Sequence, residues 1–286
     1  MTLTVDIPSA PPSRPRRTRR PGVASVTLVP AAIVLLLAVI GPLVVPYSPV
    51  DVVDRPDLLP GAAHWFGTDS AGMDVFSRTL AATRNNLLIG LITTVAATAV
   101  GILVGLLVGM NESRRGPLGF VARGVSRALD LVQALPAIVI GLVLIAFFGA
   151  TIPSLTLALS VILFPNQARL VRTEVLRVRG EAYLDAARIS GDSETTLIRK
   201  HVLPNSSWPA LENASLVFGS AIVLTAGLGF LGVGLHPPTP EWGSMIAIGA
   251  PGAASGRWWS ALFPAVALAL TVFAVSGVGR RLFGDD

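Results

Sequence analysis

The sequence predicts an all-α integral membrane protein with six transmembrane helices, on three observations. The first is composition: 52% of the 286 residues are hydrophobic, 14% are charged, and the mean hydropathy is +0.66. A soluble domain keeps about 25% charged residues to hold its surface in water, so the shortfall points to lipid as the solvent. The second is distribution. The apolar residues fall in the stretches 21–50, 85–111, 131–168, 213–240 and 258–279, which contain no Asp, Glu, Lys or Arg. A bilayer span needs about 20 such residues, and one charge at mid-bilayer costs about 2.5–3.5 kcal/mol on insertion scales. The third is the placement of arginine. With six spans and the N-terminal tail inside, the inner segments 1–24, 111–127, 166–206 and 280–286 hold 5, 4, 7 and 2 Lys/Arg, 18 of the 22. The outer segments hold only Arg55, Arg78, Arg84 and Arg257. Five spans would carry the seven charges of 166–206 outside, against the positive-inside rule.

The elements follow in order. Residues 1–24 read as a disordered basic cytoplasmic tail, rich in Pro and Arg, with little to bury. The first span is 25–45; it is too long for a signal core and is followed by Pro46 rather than a cleavage site. An outer segment, 46–84, is long enough for short helices on the membrane surface, and 25–84 forms one unit with the first span. The core, 85–286, begins with a second span at 86–109. There Gly101, Gly105 and Gly109 lie four apart on one face, the spacing that lets another helix approach closely. The long apolar run divides at Gly149-Ala150-Thr151-Ile152-Pro153, giving a third span at 128–148 and a short fourth at 153–168. The fifth is 210–233 and the sixth 259–279, joined by a Pro- and Gly-rich outer loop. Trp242, Trp258 and Trp259 suit interfacial anchoring there.

The inner segment 166–206 is the most informative. Val171, Val175, Val178, Ala182, Ala186 and Ile189 recur at spacings of three and four and draw one apolar stripe on a helix. Glu174–Arg177, Arg177–Glu181 and Asp185–Arg188 pair on its polar side. Gly191 stops the helix, Asp192 and Ser193 suit the N-cap of a second, and Pro204 is expected to end that one near Leu203. The result is a stiff elbow between two spans. It resembles a DNA-reading helix-turn-helix, but a motif tied to the bilayer at both ends cannot reach a major groove.

Other motifs carry less. Gly227-x-Gly229-x-x-Gly232 matches a dinucleotide fingerprint by letter, yet it lies at the end of a span, where close packing and a turn explain it. No phosphate-binding loop occurs, and the single lysine, Lys200, follows Arg199 rather than Gly. His64, His201 and His236 are far apart, and cysteine is absent, so neither a metal site nor a catalytic triad is indicated. Asp130 and Glu212 fall near span ends. An ion-coupled secondary carrier would need ionisable residues at mid-membrane and inverted repeats, and neither is seen.

One stretch is diagnostic. Glu181-Ala182-Tyr183-Leu184-Asp185-Ala186-Ala187-x-x-x-Gly191, followed by His201-Val202-Leu203-Pro204-Asn205, resembles the EAA loop of ABC importer permeases. Asp185 replaces the usual Glu and His201 the usual Ile, as in the dipeptide/oligopeptide/nickel permeases. Phe66-Gly67-Thr68-Asp69-x-x-Gly72-x-Asp74-Val75-x-Ser77-Arg78 and Phe230-Leu231-Gly232-x-Gly234-x-x-Pro237-Pro238-Thr239-Pro240-x-Trp242-Gly243 are similar to two further signatures of that family. The resemblance covers about residues 60–280 and suits the C-type sibling. It implies a type I ABC importer permease fold in a bacterial cytoplasmic membrane, with both termini cytoplasmic. It also implies a homologous sibling permease, two ATP-binding subunits that carry ATP and Mg, an extracytoplasmic binding protein and a peptide substrate. No cofactor and no nucleic acid are implied for this chain. The ATPase-coupling residues would be Glu181, Ala182, Asp185, Ala186, Ala187, Arg188, Gly191, Asp192, Ser193, Leu203 and Pro204.

Overall fold

The computed structural model describes residues 21–276. Most of the expected basic tail, and the expected inner C-terminal segment, lie outside the described residues. Eleven α-helices are described: α1 (Pro21–Val44), α2 (Val75–Asn111), α3 (Pro117–Ala134), α4 (Ala137–Phe148), α5 (Ile152–Arg179), α6 (Ala182–Ile189), α7 (Glu194–Leu197), α8 (Leu203–Glu212), α9 (Ala214–Phe230), α10 (Trp242–Ala253) and α11 (Trp259–Ser276). A π-helical turn, Ile198–Val202, joins α7 to α8. The described residues hold no strand, only an isolated bridge between Thr68 and Asp74.

The parallel pair α2 and α5, which run side by side in the same direction, is the spine. Asp74 caps α2, its carboxylate accepting from Ser77 N at 2.7 Å. Thr151 caps α5, with Pro153 in the first turn, where a missing N–H costs nothing. The two axes approach closely because three side chains are absent. A Cβ on Gly101 would fall 2.4 Å from Gln167 Cβ, one on Gly105 2.5 Å from Ala168 O, and one on Gly109 2.7 Å from Val175 Cβ. Polar clasps fix the register. Buried Gln167 donates to Thr98 Oγ1 (3.2 Å) and Ala210 O (3.3 Å). The Arg172 guanidinium forms a fork with both Glu112 oxygens at 2.6 Å, and Arg179 donates to Gly109 O at 2.7 Å.

Three helices, α2, α5 and α11, are each long and apolar enough to cross a bilayer, and up to five spans result if each bent helix pair is one. Leu28–Val44 of α1 is a shorter apolar helix. Much of the outer surface is apolar, including Leu36, Val39, Leu43, Leu91, Val95, Leu103, Phe147 and Phe273, as lipid contact demands.

Several expectations are corrected. The third span is not straight. Pro136 has no N–H and holds Leu135 extended (ψ 142°), so the chain turns 97° between α3 and α4. The fourth span and the helix beyond it are one continuous 28-residue helix. Residues 75–84 belong to α2, and the outer stretch before them carries no helix. The fifth span is two helices meeting at Asn213 with a 43° bend. The loop after it contains α10, whose N-cap Glu241 accepts from Gly243 N (2.7 Å) and Ser244 N (2.8 Å). Burial pushes the Glu241 carboxyl above its ordinary range, and these hydrogen bonds act in the opposite direction. Trp242 and Trp259 are not interfacial anchors. Both are buried, with indole N–H groups donating to Thr79 O and Thr68 O, each at 3.0 Å. Only Trp258 of the three is exposed. The Trp242 and Trp259 indoles belong to a tight cap at the end of the bundle expected to lie outside, in which buried Arg78 donates to Pro49 O (2.9 Å) and Pro238 O (3.2 Å).

Candidate functional site

The predicted elbow is present, and its two halves face differently from the single stripe expected. Val171, Val175 and Val178 are buried against α2, but α5 stops at Gly180 and the chain restarts as α6 with Glu181 as N-cap. The break rotates the second half of the stripe. Leu184, on the opposite side of α6, is fully buried, in one cluster with Val175, Val178, Leu197 and Val202. Ala182, Ala186 and Ile189, at i, i+4 and i+7, face outward, and Ile189 is 88% exposed.

The bend itself is built from backbone. Gly191 N donates to Arg188 O (3.0 Å) and Asp192 N to Ala187 O (3.1 Å), the paired bonds of a helix stop that needs a left-handed residue. Gly191 supplies it with φ +93°, and the space around its missing Cβ is open. Ser193 caps α7, its hydroxyl accepting from Thr196 N at 3.2 Å. Asp192 makes no cap bond, so of the two cap candidates the serine takes the position. Arg188 staples the elbow, donating to Asp185 (2.8 Å) and Glu194 (3.0 Å) across the turn. Its guanidinium is held above the ordinary arginine value first by the Glu194 hydrogen bond and then by Asp185. Arg177 bridges Glu174 (2.8 Å) and Glu181 (3.4 Å) at the entry.

Pro204 does not end the second helix. Leu203 N bonds back to Ile198 O, five residues away, and this wider turn places Pro204 in the first turn of α8. The elbow therefore runs into α8 without a loop. Tyr183 and His201 meet edge to face at 5.7 Å, and Asn205 donates to the Tyr183 hydroxyl at 3.3 Å, tying α6 to the start of α8.

A second feature was not singled out from sequence. A cavity of about 590 Å³ opens among α3–α4, α5, α9 and α11, lined by residues that include Gln133, Ile140, Ile162, Gly219, Ser220 and Val272. Gln133 also meets Arg169 of α5. The available signal was an uncharged polar side chain inside an apolar run. Among the described residues no cluster of His, Asp or Glu could hold a metal ion.

A helical membrane spine that ends in a braced, outward-facing elbow defines a permease subunit. Residues 75–283 match the family described as binding-protein-dependent transport system inner membrane component, and the chain belongs to that family. It is 36% identical over 266 residues to the dipeptide transport system permease protein DppC of Escherichia coli (strain K12), covering 91% of this chain and 86% of that one. It is 35% identical over 257 residues to the di/tripeptide transport system permease protein DppC of Pseudomonas aeruginosa (strain UCBPP-PA14), covering 87% and 82%. An inward-facing structure of the MetNI methionine ABC transporter superposes with TM-score 0.59 at 19% identity, over 72% of this chain and 94% of the other. The chain thus has the type I ABC importer permease fold and is a membrane permease subunit of such an importer.

Proposed function

We propose that this chain forms half of a translocation pathway for dipeptides or oligopeptides and is driven, through its elbow, by separate ATP-hydrolysing subunits. The observation that carries this reading is the outward apolar face of α6. Ala182, Ala186 and Ile189 lie on a surface braced by Leu184, Arg188 and Gly191, at the end of the longest inner extension of a span. Small residues with one large apolar tip suit a groove on another protein. In this arrangement residues 186–193 seat in a cytoplasmic ATPase, Asp185 and Arg188 set the orientation, and Leu203 and Pro204 hold the elbow to α8. The cavity beside Gln133 and Ser220 faces the pathway shared with a homologous sibling permease, and an extracytoplasmic binding protein delivers substrate to the outer cap. ATP and Mg belong to the partner subunits. The peptide assignment is supported by the names of the relatives. The six-span topology, with both termini cytoplasmic, is supported by the arginine count.

The test is reconstitution in liposomes. Dipeptide uptake is expected only when this chain is combined with its sibling permease, the ATPase subunits, the binding protein and ATP. Uptake by this chain alone under a proton gradient would overturn the proposal in favour of an ion-coupled carrier.

A further inference from the structure

The elbow uses one end of the spine and leaves α3 without a role. This helix buries Gly119, Ala122, Ser126 and Leu129, one face at spacings of three and four. A second face, Leu118, Val121 and Val125, is exposed by 64%, 59% and 36%. Arg123 and Arg127 share a third with exposed Phe120 and Leu131, and Arg114 and Arg115 stand just before the helix. Arg123 is occupied, its Nη1 donating to Glu112 O (3.0 Å) and Arg114 O (3.3 Å). The guanidinium groups of Arg114, Arg115 and Arg127 have no hydrogen-bond or ion-pair partner among the described residues. Nearby, Glu112 is neutralised by Arg172, and Asp130 is the one acid within α3.

The 97° bend places this surface. Beyond it α4 is a charge-free apolar helix with Val139, Val143 and Phe147 exposed, so α4 enters the hydrocarbon layer and α3 lies along its boundary. A helix in that position, with apolar side chains on one flank and arginines on the other, sinks the first into acyl chains and holds the second at headgroup level. The last turn of α3 differs, since Val132, Gln133 and Leu135 face the cavity described above.

We propose that the N-terminal part of α3, with Arg114, Arg115 and Arg127, is a binding surface for acidic phospholipid. Assignment to the cytoplasmic leaflet rests on the topology proposed above. A zwitterionic lipid would satisfy the apolar flank but leave three guanidinium groups without counter-charge. Each arginine close to an anionic surface favours association by about fivefold.

Because the chain has no cysteine, Val121→Cys carries a single bimane reporter. The labelled full chain is placed in nanodiscs of phosphatidylcholine and phosphatidylglycerol in equal amounts, with brominated acyl chains on one lipid or the other. Brominated phosphatidylglycerol is expected to quench at least about fivefold more strongly than brominated phosphatidylcholine, the preference that one arginine alone would give. The preference should vanish in the triple variant Arg114→Gln, Arg115→Gln, Arg127→Gln, whose thermal unfolding should match that of the parent because these groups have no hydrogen-bond or ion-pair partner among the described residues. Equal quenching by the two lipids, or none by either, would overturn the proposal. So would quenching that disappears when the sibling permease is added, because α3 would then be a protein interface. Both leaflets of the disc have the same composition, so an inverted topology would move the site to the other leaflet without removing the preference.

Discussion

Gly191 concentrates the elbow's requirements in one residue. Its φ of +93° is a conformation that costs a residue with a Cβ about 1–2 kcal/mol, while the space around it is open. Strain and steric blocking can therefore be separated. Gly191→Ala should lower ATP-driven uptake partially, through the backbone alone. Gly191→Trp should abolish it, because the indole projects into the surface proposed for the ATPase. Insertion and pairing with the sibling permease should survive in both. Uptake and binding-protein-stimulated ATP hydrolysis in the reconstituted complex, with ATPase retention measured by pull-down, check this. Wild-type transport by the Trp variant would remove residues 186–193 from the coupling role. Gly191 was legible in sequence because a glycine followed by Asp192-Ser193 marks a helix stop and a cap. Ile189 was misplaced: its spacing from Val178 suggested a buried stripe, and nothing local announced that the break at Gly180 would turn it outward.

Among the elements, the α2–α5 contact depends on three glycines, Gly101, Gly105 and Gly109. Gly105→Ala would push a Cβ against Ala168 O, a backbone atom of the facing helix that cannot rotate away. Overpacking of this kind typically costs about 1–3 kcal/mol. The expected outcome is a lower unfolding temperature for Gly105→Ala and a larger drop for Gly105→Val in detergent-solubilised chain. Gly227→Ala, a helical glycine with nothing within 4 Å of the added carbon, should be neutral. Equal stability of Gly105→Val and the parent would mean that the helices do not pack at this distance. The four-residue glycine spacing was visible in the sequence, whereas its partner helix was not. Periodicity reports which face is small but not what lies against it. The same limit explains the proline errors. Pro136 breaks α3 from α4, Pro165 sits inside α5 without breaking it, and Pro204 is absorbed by the π-turn. Whether a proline ends a helix depends on whether neighbouring turns can shift their hydrogen bonds, and that is a tertiary property.

For the whole molecule, hydropathy found the apolar stretches that form α1, the body of α2, α4, the first part of α5, α9 and α11. It missed the outer cap, because α10 and the loop before α2 are held by long-range bonds from Trp242, Trp259 and Arg78 rather than by any local pattern. The topology has a direct test in a chain without cysteine. Ser193→Cys on the elbow and Ser255→Cys beyond α10 are both exposed positions. An impermeant maleimide should label Ser255→Cys in intact cells and Ser193→Cys only after the membrane is opened. Labelling of both from outside would refute the six-span arrangement.

The continuity of α5 has a mechanical consequence. Its 28 residues make a rod about 42 Å long at 1.5 Å per residue, and the elbow follows one end of it after the short break at Gly180. The rod is clasped to α2 along its elbow-side half, at Gln167, Arg172 and Arg179. Gln167 is buried, bonded to both α2 and α8, and sits where Gly101 allows the closest approach. About 18 Å of the rod, from Gln167 to Arg179, is thus fastened to α2, so a force at the elbow would be carried by α2 and α5 together as one body. The near face of the cavity beside Gln133 and Ser220 would move with it.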